Sequence, residues 1–235
     1  MVRAAIIGAG MMGTAVAWPL ADNGHTVRLV GTHLDADIIQ SCKSQRYHPR
    51  LKRELPPGVQ AFYLEDMAQA LDGVQIIVCG VNSLGVQWFG HTIAPHLRAE
   101  HTIVSVTKGL MATEDGELLL LPDVLAAHFP RHLRERIGVA AIGGPCIAGE
   151  LAGRRPSCVV FGARDRLLAE WLADTFRTAY YHICTTDDLL GLEICAALKN
   201  AYAMANGWVA GLLDREGVSG PTEARLYNLE AAILA

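Results

Sequence analysis

The chain has 235 residues, and its 20 Lys and Arg residues against 24 Asp and Glu residues give a formal net charge of −4 at pH 7. Apolar residue types make up 51% of the sequence and charged types 19%, a composition that can bury a large core and therefore excludes intrinsic disorder. The mild negative charge also argues against nucleic acid as the main partner, because phosphate neutralisation needs a basic surface.

Six cysteines are scattered without a Cys-x-x-Cys pair, so neither a disulfide framework nor a metal site is predicted. Free thiols indicate a reducing compartment, and we expect a soluble, cytoplasmic protein. The apolar run at the N-terminus ends at Gly8 and is too short for a signal peptide. The longest apolar helical stretch, residues 194–213, contains Lys199, Asn200 and Asn206. It therefore predicts a buried helix and no membrane span.

Short β-rich runs alternate with amphipathic helical runs through most of the chain. This alternation predicts an α/β fold with a doubly wound parallel sheet of the Rossmann type. The predicted strands are 3–8, 26–30, 76–80, 102–106, 138–142 and 158–162. The predicted helices between them are 11–22, 64–71, 84–97, 118–128 and 163–179.

The pattern changes after Cys184. Thr185-Thr186-Asp187-Asp188 supplies N-cap candidates for one long helix that is apolar nearly all round and ends near residues 214–217. A loop around Gly220-Pro221 and a second helix over 222–235 follow. We therefore predict a Rossmann domain at 1–184 and the start of an all-helical domain at 185–235. Two helices cannot bury such an apolar surface, so the second domain is expected to be incomplete or to need a partner.

A glycine-rich motif follows the first predicted strand and opens the first helix. It reads G-x-G-x-x-G, with Gly8 allowing a tight turn, Gly10 a close approach of the backbone to a pyrophosphate, and Gly13 close helix packing. The backbone N–H groups at Met11 and Met12 would then face the phosphates. The motif predicts binding of a dinucleotide.

The acidic residue that binds the adenosine ribose in many NAD sites is missing from the end of the second strand. Thr32 and His33 stand there, and Asp35 comes later. A carboxylate would favour NAD and a cation would favour NADP. We assign Thr32 and His33 to the cofactor site and leave the choice between NAD and NADP open.

Three further strands end in polar or glycine-rich turns, namely 81–83, 107–109 and 143–146. Ligands of an open parallel sheet bind outside the carboxyl ends of its strands, so these turns should face the same crevice as the glycine loop. Lys108 leaves an apolar strand beside a glycine, where its point charge can reach an anionic substrate.

Lys199 is a cation in the middle of an apolar helix. The helical spacing places it on a stripe with Leu192, Cys195 and Tyr202. Lysine is almost never fully buried without a partner, and burial would lower its pKa enough for proton exchange near neutral pH. We expect Lys199 to be buried and to act as an acid or base, with snorkelling to the surface as the alternative.

Four stretches, in order along the whole chain, resemble the NAD(P)-dependent glycerol-3-phosphate dehydrogenase family. They are the glycine loop at 8–15, the Ser-Val-Thr-Lys-Gly run at 105–109, Gly144-Pro145 with Ala148 and Glu150, and Gly191-Leu192-Glu193 leading to Ala197-Leu198-Lys199-Asn200. The lysine-glycine and leucine-lysine-asparagine motifs are far more specific than the glycine loop.

The resemblance implies an enzyme that interconverts dihydroxyacetone phosphate and sn-glycerol 3-phosphate with NAD(H) or NADP(H), and so feeds glycerophospholipid synthesis. A triose phosphate is the implied substrate, and a homodimer is left open. By the same resemblance, Lys199 is the general acid/base, and Asn200 assists it. A protonated group at this position suits the chemistry, because hydride transfer to a carbonyl develops an alkoxide.

The resemblance also implies roles for residues at the strand ends. Lys108 contacts substrate and cofactor, Gly144 and Cys146 line the substrate site, and Ala148 lies by the nicotinamide. Cys146 stands where many members carry Ser or Thr, so a substrate hydrogen bond is expected to be weaker. Met11-Met12 replaces an aromatic residue, which should mainly alter packing.

Two alternatives accompany this reading. A ketopantoate reductase or a hydroxyacyl-CoA dehydrogenase has a similar build, but the motifs at Lys108-Gly109 and Leu198-Lys199-Asn200 disfavour both. The family's later helices carry an aspartate and an arginine–asparagine pair that have no counterpart among these 235 residues. The second alternative is therefore a catalytically incomplete dinucleotide-binding fragment, or a subunit completed by another chain.

Overall fold

The computed structural model describes residues 1–216, without the side chains of Ala210 and residues 213–216. The strands are β1 (Arg3–Ile7), β2 (Thr26–Val30), β3 (Tyr47–His48), β4 (Arg53–Glu54), β5 (Val59–Phe62), β6 (Ile76–Cys79), β7 (Thr102–Ser105), β8 (Leu110–Ala112), β9 (Leu118–Leu120), β10 (Gly138–Gly143), β11 (Ser157–Ala163) and β12 (Tyr181–Thr186). The α-helices are α1 (Met11–Ala15), α2 (Ala17–Asp22), α3 (Ala36–Gln45), α4 (Met67–Leu71), α5 (Val86–Ile93), α6 (Leu121–Ala127), α7 (Ala148–Ala152), α8 (Arg166–Phe176) and α9 (Leu189–Glu216). Short 3-10 turns occur at Leu64–Asp66, Ser83–Gly85 and Ala94–His96.

Eight strands form one sheet in the order β12-β11-β10-β7-β6-β1-β2-β5. Its neighbours pair in parallel except for β10 and β11, which are antiparallel. Successive residues of β1 enter opposite layers of the core, with Ile6 in one apolar cluster and Ile7 in the other. The strand period of two therefore buries the sheet on both faces, as a parallel sheet requires. The predicted Rossmann-type α/β fold is confirmed.

The predicted helix at 11–22 is interrupted at Val16. Pro19 causes the break, because it has no N–H to donate to the carbonyl of Ala15 and its ring crowds that carbonyl. The prediction for 163–179 is also too long. Ala163 is the last residue of β11, and the carboxylate of Asp165 caps α8 by accepting from the Leu167 N–H at 2.9 Å.

The leucine-rich run at 118–120 was predicted as helix and is strand β9. It pairs antiparallel with β8, so tertiary pairing overrides the helix propensity of leucine. The sequence reading also missed β5, β12 and α3, which are short or lack clear periodicity. Strand β12 pairs with β11 and runs to Thr186, two residues beyond the predicted domain boundary at 184.

The long helix predicted after Cys184 is present as α9. Asp188 caps it, because its carboxylate accepts from the Gly191 N–H at 2.8 Å, which confirms the predicted N-cap. Leu192 then packs on two glycines of the sheet, and a Cβ at Gly143 or Gly162 would lie 2.5 Å from its methyl groups. The predicted loop and second helix at 217–235 lie outside the described residues. No helix within the described part of the chain is long and apolar enough to cross a membrane.

Helix α9 also carries a buried carboxylate against the sheet. Glu193 is 2% exposed, and within the described residues its Oε2 atom has no hydrogen-bond partner. Burial, and to a smaller extent the charge of Asp123, raises the pKa of Glu193 to about 7. Arg164 already pairs with Asp123 at 2.8 Å, so it does not neutralise Glu193. The buried acid is therefore a source of instability whenever it is ionised.

The first helix meets the sheet through three glycines. Gly8 has φ +108°, and a Cβ there would lie 2.8 Å from the Gly80 carbonyl group. A Cβ at Gly13 would lie 2.8 Å from the Gly8 oxygen and 2.9 Å from the Gly80 Cα. Because the opposing atoms belong to the backbone, they cannot move aside as a side chain could.

We expect Gly13→Ala to lower the free energy of unfolding by about 1–3 kcal/mol, the usual cost of overpacking a tight contact. Urea denaturation followed by circular dichroism measures this change. Gly149→Ala is the matched control, because a Cβ at this exposed helical glycine has no atom within 4 Å. Equal stability of the two variants would contradict the role given to the glycine contact.

For Glu193→Gln, we expect a stability gain that depends on pH. The raised pKa of Glu193 means that the folded state holds the proton more tightly than the unfolded state, whose pKa is near 4.5. The wild type therefore loses stability as pH rises from 4.5 through 7, whereas the neutral amide does not. The stability of the variant relative to wild type should rise by about 1–3 kcal/mol between pH 5 and pH 8 in urea denaturation. The exposed Glu135→Gln should show no such rise.

Candidate functional site

The polar and glycine-rich turns that the sequence predicts to face one crevice lie at one edge of the sheet. Strands β1, β2, β6, β7 and β10 run parallel, so their carboxyl ends point the same way. The turns that follow them are 8–13, 31–33, 80–83, 106–109 and 144–146. This edge is where an open α/β sheet binds its ligands.

The glycine loop fits a dinucleotide diphosphate. The first backbone bond of α1 runs from the Thr14 N–H to the Gly10 carbonyl at 2.9 Å. The N–H groups of Met11, Met12 and Gly13 precede that bond and have no partner within the helix. A Cβ at Gly10 would meet only the Gly80 oxygen, at 3.6 Å. The loop thus offers free donors beside open space, which a phosphate can occupy.

The residues that follow β2 are hydrogen-bonded to the glycine loop through Asp35. Thr32 donates to the Oδ2 atom of Asp35 twice, from its hydroxyl at 2.7 Å and from its N–H at 2.9 Å. The same oxygen accepts from the Ala9 N–H at 3.1 Å. Asp35 is 7% exposed, so this carboxylate serves the loop structure. The sequence reading had passed over Asp35 because it lies beyond the usual acidic position.

His33 remains exposed at the same turn. Its ring meets the edge of the half-buried Trp88 ring, with centroids 5.3 Å apart. The two rings therefore form a small aromatic wall beside the turn that follows β2. Neither His33 nor Thr32 supplies a carboxylate for the adenosine ribose.

A pocket at this edge gathers four residues that the sequence reading assigned to different ligands. They are Met12, Lys108, Gly144 and Cys146. Apolar and aromatic side chains complete the wall, namely Val16, Val106, Ile142, Val159 and Tyr181, together with Gly143. Gly144 has φ +112°, and a Cβ there would lie 3.0 Å from the Val159 Cα, so the backbone turn itself needs glycine.

Lys108 is the cation of this pocket. Its Nζ donates to the Gly144 carbonyl at 3.3 Å. Burial and the positive charge of Lys199 lower the pKa of Lys108, while Cys146 acts in the opposite direction. The pKa of the Cys146 thiol is raised by burial, so this cysteine is a neutral thiol at physiological pH. The pocket therefore offers a cation and a thiol on an otherwise apolar wall.

Lys199 is not buried, contrary to expectation. It is exposed within the described part of the chain, as are Asn200 and Tyr202. Lys199 follows Leu192 by seven residues, so it lies on nearly the same face of α9, about two turns beyond the point where Leu192 packs on Gly143 and Gly162. The described residues leave that part of the face uncovered. Lys199 nevertheless lies close enough to Lys108 to lower its pKa.

Ala148 begins α7 and is half-buried against the same apolar cluster as Met12 and Cys146.

Three further residues of the site are not predicted from the sequence. Tyr181 lines the pocket from β12, a strand that was not predicted. Asp35 and His48 both contact Ala9 of the glycine loop. His48 is the last residue of β3, a two-residue strand that gives no periodic signal in the sequence. For Asp35, the only signal in the sequence is its position shortly after β2.

The chain was compared with known proteins. The model of the family described as NAD-dependent glycerol-3-phosphate dehydrogenase N-terminus matches residues 3–169. The NADP(+)-dependent glycerol-3-phosphate dehydrogenase of Archaeoglobus fulgidus is 38% identical over 213 residues, which are 91% of this chain and 62% of that protein. The glycerol-3-phosphate dehydrogenase [NAD(P)+] of Geobacillus kaustophilus is 33% identical over 238 residues, covering 100% of this chain and 65% of that protein.

Among solved structures, glycerol-3-phosphate dehydrogenase from Coxiella burnetii superposes with a TM-score of 0.77 and 26% identity, over 97% of this chain and 66% of that one. The chain thus spans less than two thirds of the length of the two curated relatives. The comparisons confirm the predicted family resemblance and NAD or NADP as the family's cofactor. The chain belongs to the NAD(P)-dependent glycerol-3-phosphate dehydrogenase family and contains the region that matches the family's N-terminus.

Proposed function

We propose that this chain binds NAD or NADP and takes part in interconverting dihydroxyacetone phosphate and sn-glycerol 3-phosphate, a step that supplies glycerophospholipid synthesis. The observation that carries the proposal is the pocket that gathers Met12, Lys108, Gly144 and Cys146 beside the glycine loop. A small anionic substrate suits this pocket, because Lys108 supplies a cation and Gly144 lets the backbone come close. The free cysteines suggest a reducing compartment, and the proposed location is the cytoplasm.

In this proposal Gly8, Gly10 and the amides of Met11, Met12 and Gly13 hold the diphosphate. Thr32 and His33 border the adenosine ribose, and Ala148 lies beside the nicotinamide. When bound, the nicotinamide supplies a hydride to the substrate carbon, or accepts one from it. The chain's own contribution at this point is to fix the cofactor against the crevice.

Lys108 is proposed to contact both the substrate and the cofactor. Its lowered pKa still leaves a donor that already reaches the Gly144 carbonyl at 3.3 Å. Gly144 and Cys146 shape the substrate site around it. Lys199 is proposed to deliver a proton to the substrate oxygen in reduction and to remove it in oxidation, with Asn200 beside it. We therefore propose that residues 1–184 bind the cofactor and that residues 185–235 carry out the proton transfer.

A second candidate is a dinucleotide-binding unit that is catalytically incomplete, or completed by another chain. The exposure of α9 favours it, because Lys199 is exposed and Trp208 is 71% exposed within the described residues. A proton donor in water lacks the excluded environment in which general acids work best.

The discriminating experiment measures oxidation of NADH and of NADPH by this chain with dihydroxyacetone phosphate, alongside binding titrations of both cofactors. Turnover that depends on the triose phosphate supports the dehydrogenase. Binding without turnover supports the incomplete unit. Failure to bind either dinucleotide contradicts both candidates.

Lys199→Ala should abolish turnover, with at least a hundredfold fall, because a positioned acid/base contributes about 10²- to 10⁴-fold. Cofactor affinity should stay within twofold, since Lys199 lies outside the glycine loop. Lys199→Arg keeps the positive charge but cannot exchange a proton at neutral pH, so it should be equally inactive. Lys43→Ala, at an exposed lysine on α3, is the matched control. Unchanged turnover in Lys199→Ala would rule out the assigned role.

A further inference from the structure

Ala9, between the first two glycines of the loop, is held by a buried side chain on each of the two peptide groups that flank it. Its N–H donates to Asp35 at 3.1 Å, and its carbonyl meets the Nε2 atom of His48 at 2.9 Å. Ala9 itself is fully buried. The contact to Asp35 fixes the peptide plane between Gly8 and Ala9, and the contact to His48 fixes the plane between Ala9 and Gly10, which leads to the amides of α1.

The protonation state of His48 follows from its second contact. Its Nδ1 atom accepts from the Leu51 N–H at 3.1 Å, so that nitrogen carries no proton. Nε2 must then carry the ring proton and donate it to the Ala9 carbonyl. His48 is fully buried, and the neutral ring in this one tautomer satisfies both neighbours. A second ring proton, on Nδ1, would point directly at the Leu51 N–H, and the two donors would repel each other.

Asp35 is the hydrogen-bond acceptor for the Ala9 N–H. One carboxylate oxygen takes three hydrogen bonds, two from Thr32 and one from Ala9. The carboxylate therefore ties the turn after β2 to the loop after β1. These two segments are the ones to which the proposed function assigns the ribose and the diphosphate.

We propose that Asp35 and His48 are positioning residues that set dinucleotide affinity by clamping Ala9, and that protonation of His48 at Nδ1 loosens this clamp by breaking the contact with Leu51 that anchors the ring. The inference rests on the proposed function, because it requires that the glycine loop binds the diphosphate. Preorganised loops bind more tightly because the ordering cost is met before the ligand arrives. Neither residue is required to touch the cofactor.

The charged groups around His48 set the direction of the pH effect. Burial lowers the pKa of His48 from its ordinary value of 6.5, the positive charge of Arg50 acts in the same direction, and the negative charge of Asp35 opposes both. The Ala9 carbonyl also favours the charged ring. Nδ1 therefore accepts from Leu51 above pH 6.5, and this anchoring contact is lost as pH falls through the lowered pKa of His48. Dinucleotide affinity should fall over the same range.

The test measures the Kd of NAD by titration calorimetry at pH 7.5 and pH 5.5, since NAD has no group that titrates between these values. Asp35→Asn should raise Kd about tenfold at both pH values, because a charge-assisted hydrogen bond is lost. Asp37→Asn is the matched control, as it removes an exposed carboxylate from the same first turn of α3.

His48→Gln keeps a side-chain donor for the Ala9 carbonyl but cannot titrate. We expect its Kd to lie near the wild-type value at pH 7.5 and to change less than twofold by pH 5.5, whereas the wild-type Kd rises as the pH falls. The exposed His132→Gln should keep the wild-type pH profile. Thermal denaturation of every variant in the same buffers separates loss of affinity from unfolding.

The outcomes separate this inference from the proposed function. If the wild type does not bind NAD or NADP at pH 7.5, the proposed function fails and the clamp fails with it. If the wild type binds, but His48→Gln keeps the wild-type pH profile or Asp35→Asn matches Asp37→Asn, only the clamp is overturned. A flat profile in His48→Gln with weakened binding in Asp35→Asn supports the proposal.

Discussion

The site depends on one contact between backbones, where Gly8, Gly13 and Gly80 meet with no room for a Cβ. This contact lets α1 start directly at the end of β1, so that its unpartnered amides face the crevice rather than neighbouring side chains. Any side chain there would push the helix away from the sheet and misplace those donors. The turns at the neighbouring strand ends reach the crevice only because α1 leaves it open.

Polar and charged side chains have different roles on the two sides of the crevice. On the glycine-loop side, Asp35 and His48 are buried and form hydrogen bonds with the backbone N–H and the carbonyl of Ala9, respectively. On the pocket side, Lys108 is only half-buried and presents its charge towards the crevice, close to Lys199. Buried polar groups thus fix the shape of the cofactor region, while less buried cations remain available for an anion.

Helix α9 connects this chemistry to the sheet. Leu192 packs on Gly143 and Gly162 and the neighbouring Glu193 is buried, whereas Lys199 lies about two turns further along the helix and is exposed within the described residues. The apolar character of the helix on all sides is visible in the sequence, but it does not indicate which side meets the sheet. The two glycines decide that orientation, because they let the helix come closer there than at any residue with a side chain.

Three features can be predicted from the residues alone: the alternating architecture, the glycine loop, and the presence of Lys108, Gly144 and Cys146 at one edge of the sheet. These follow from local periodicity and from the rule that parallel strands end together. Three other features emerge only from the folded chain: Leu118–Leu120 forms a strand, Lys199 is exposed within the described residues, and Asp35 and His48 meet at Ala9. Each of these depends on partners distant in the chain, and local sequence patterns do not encode distant contacts.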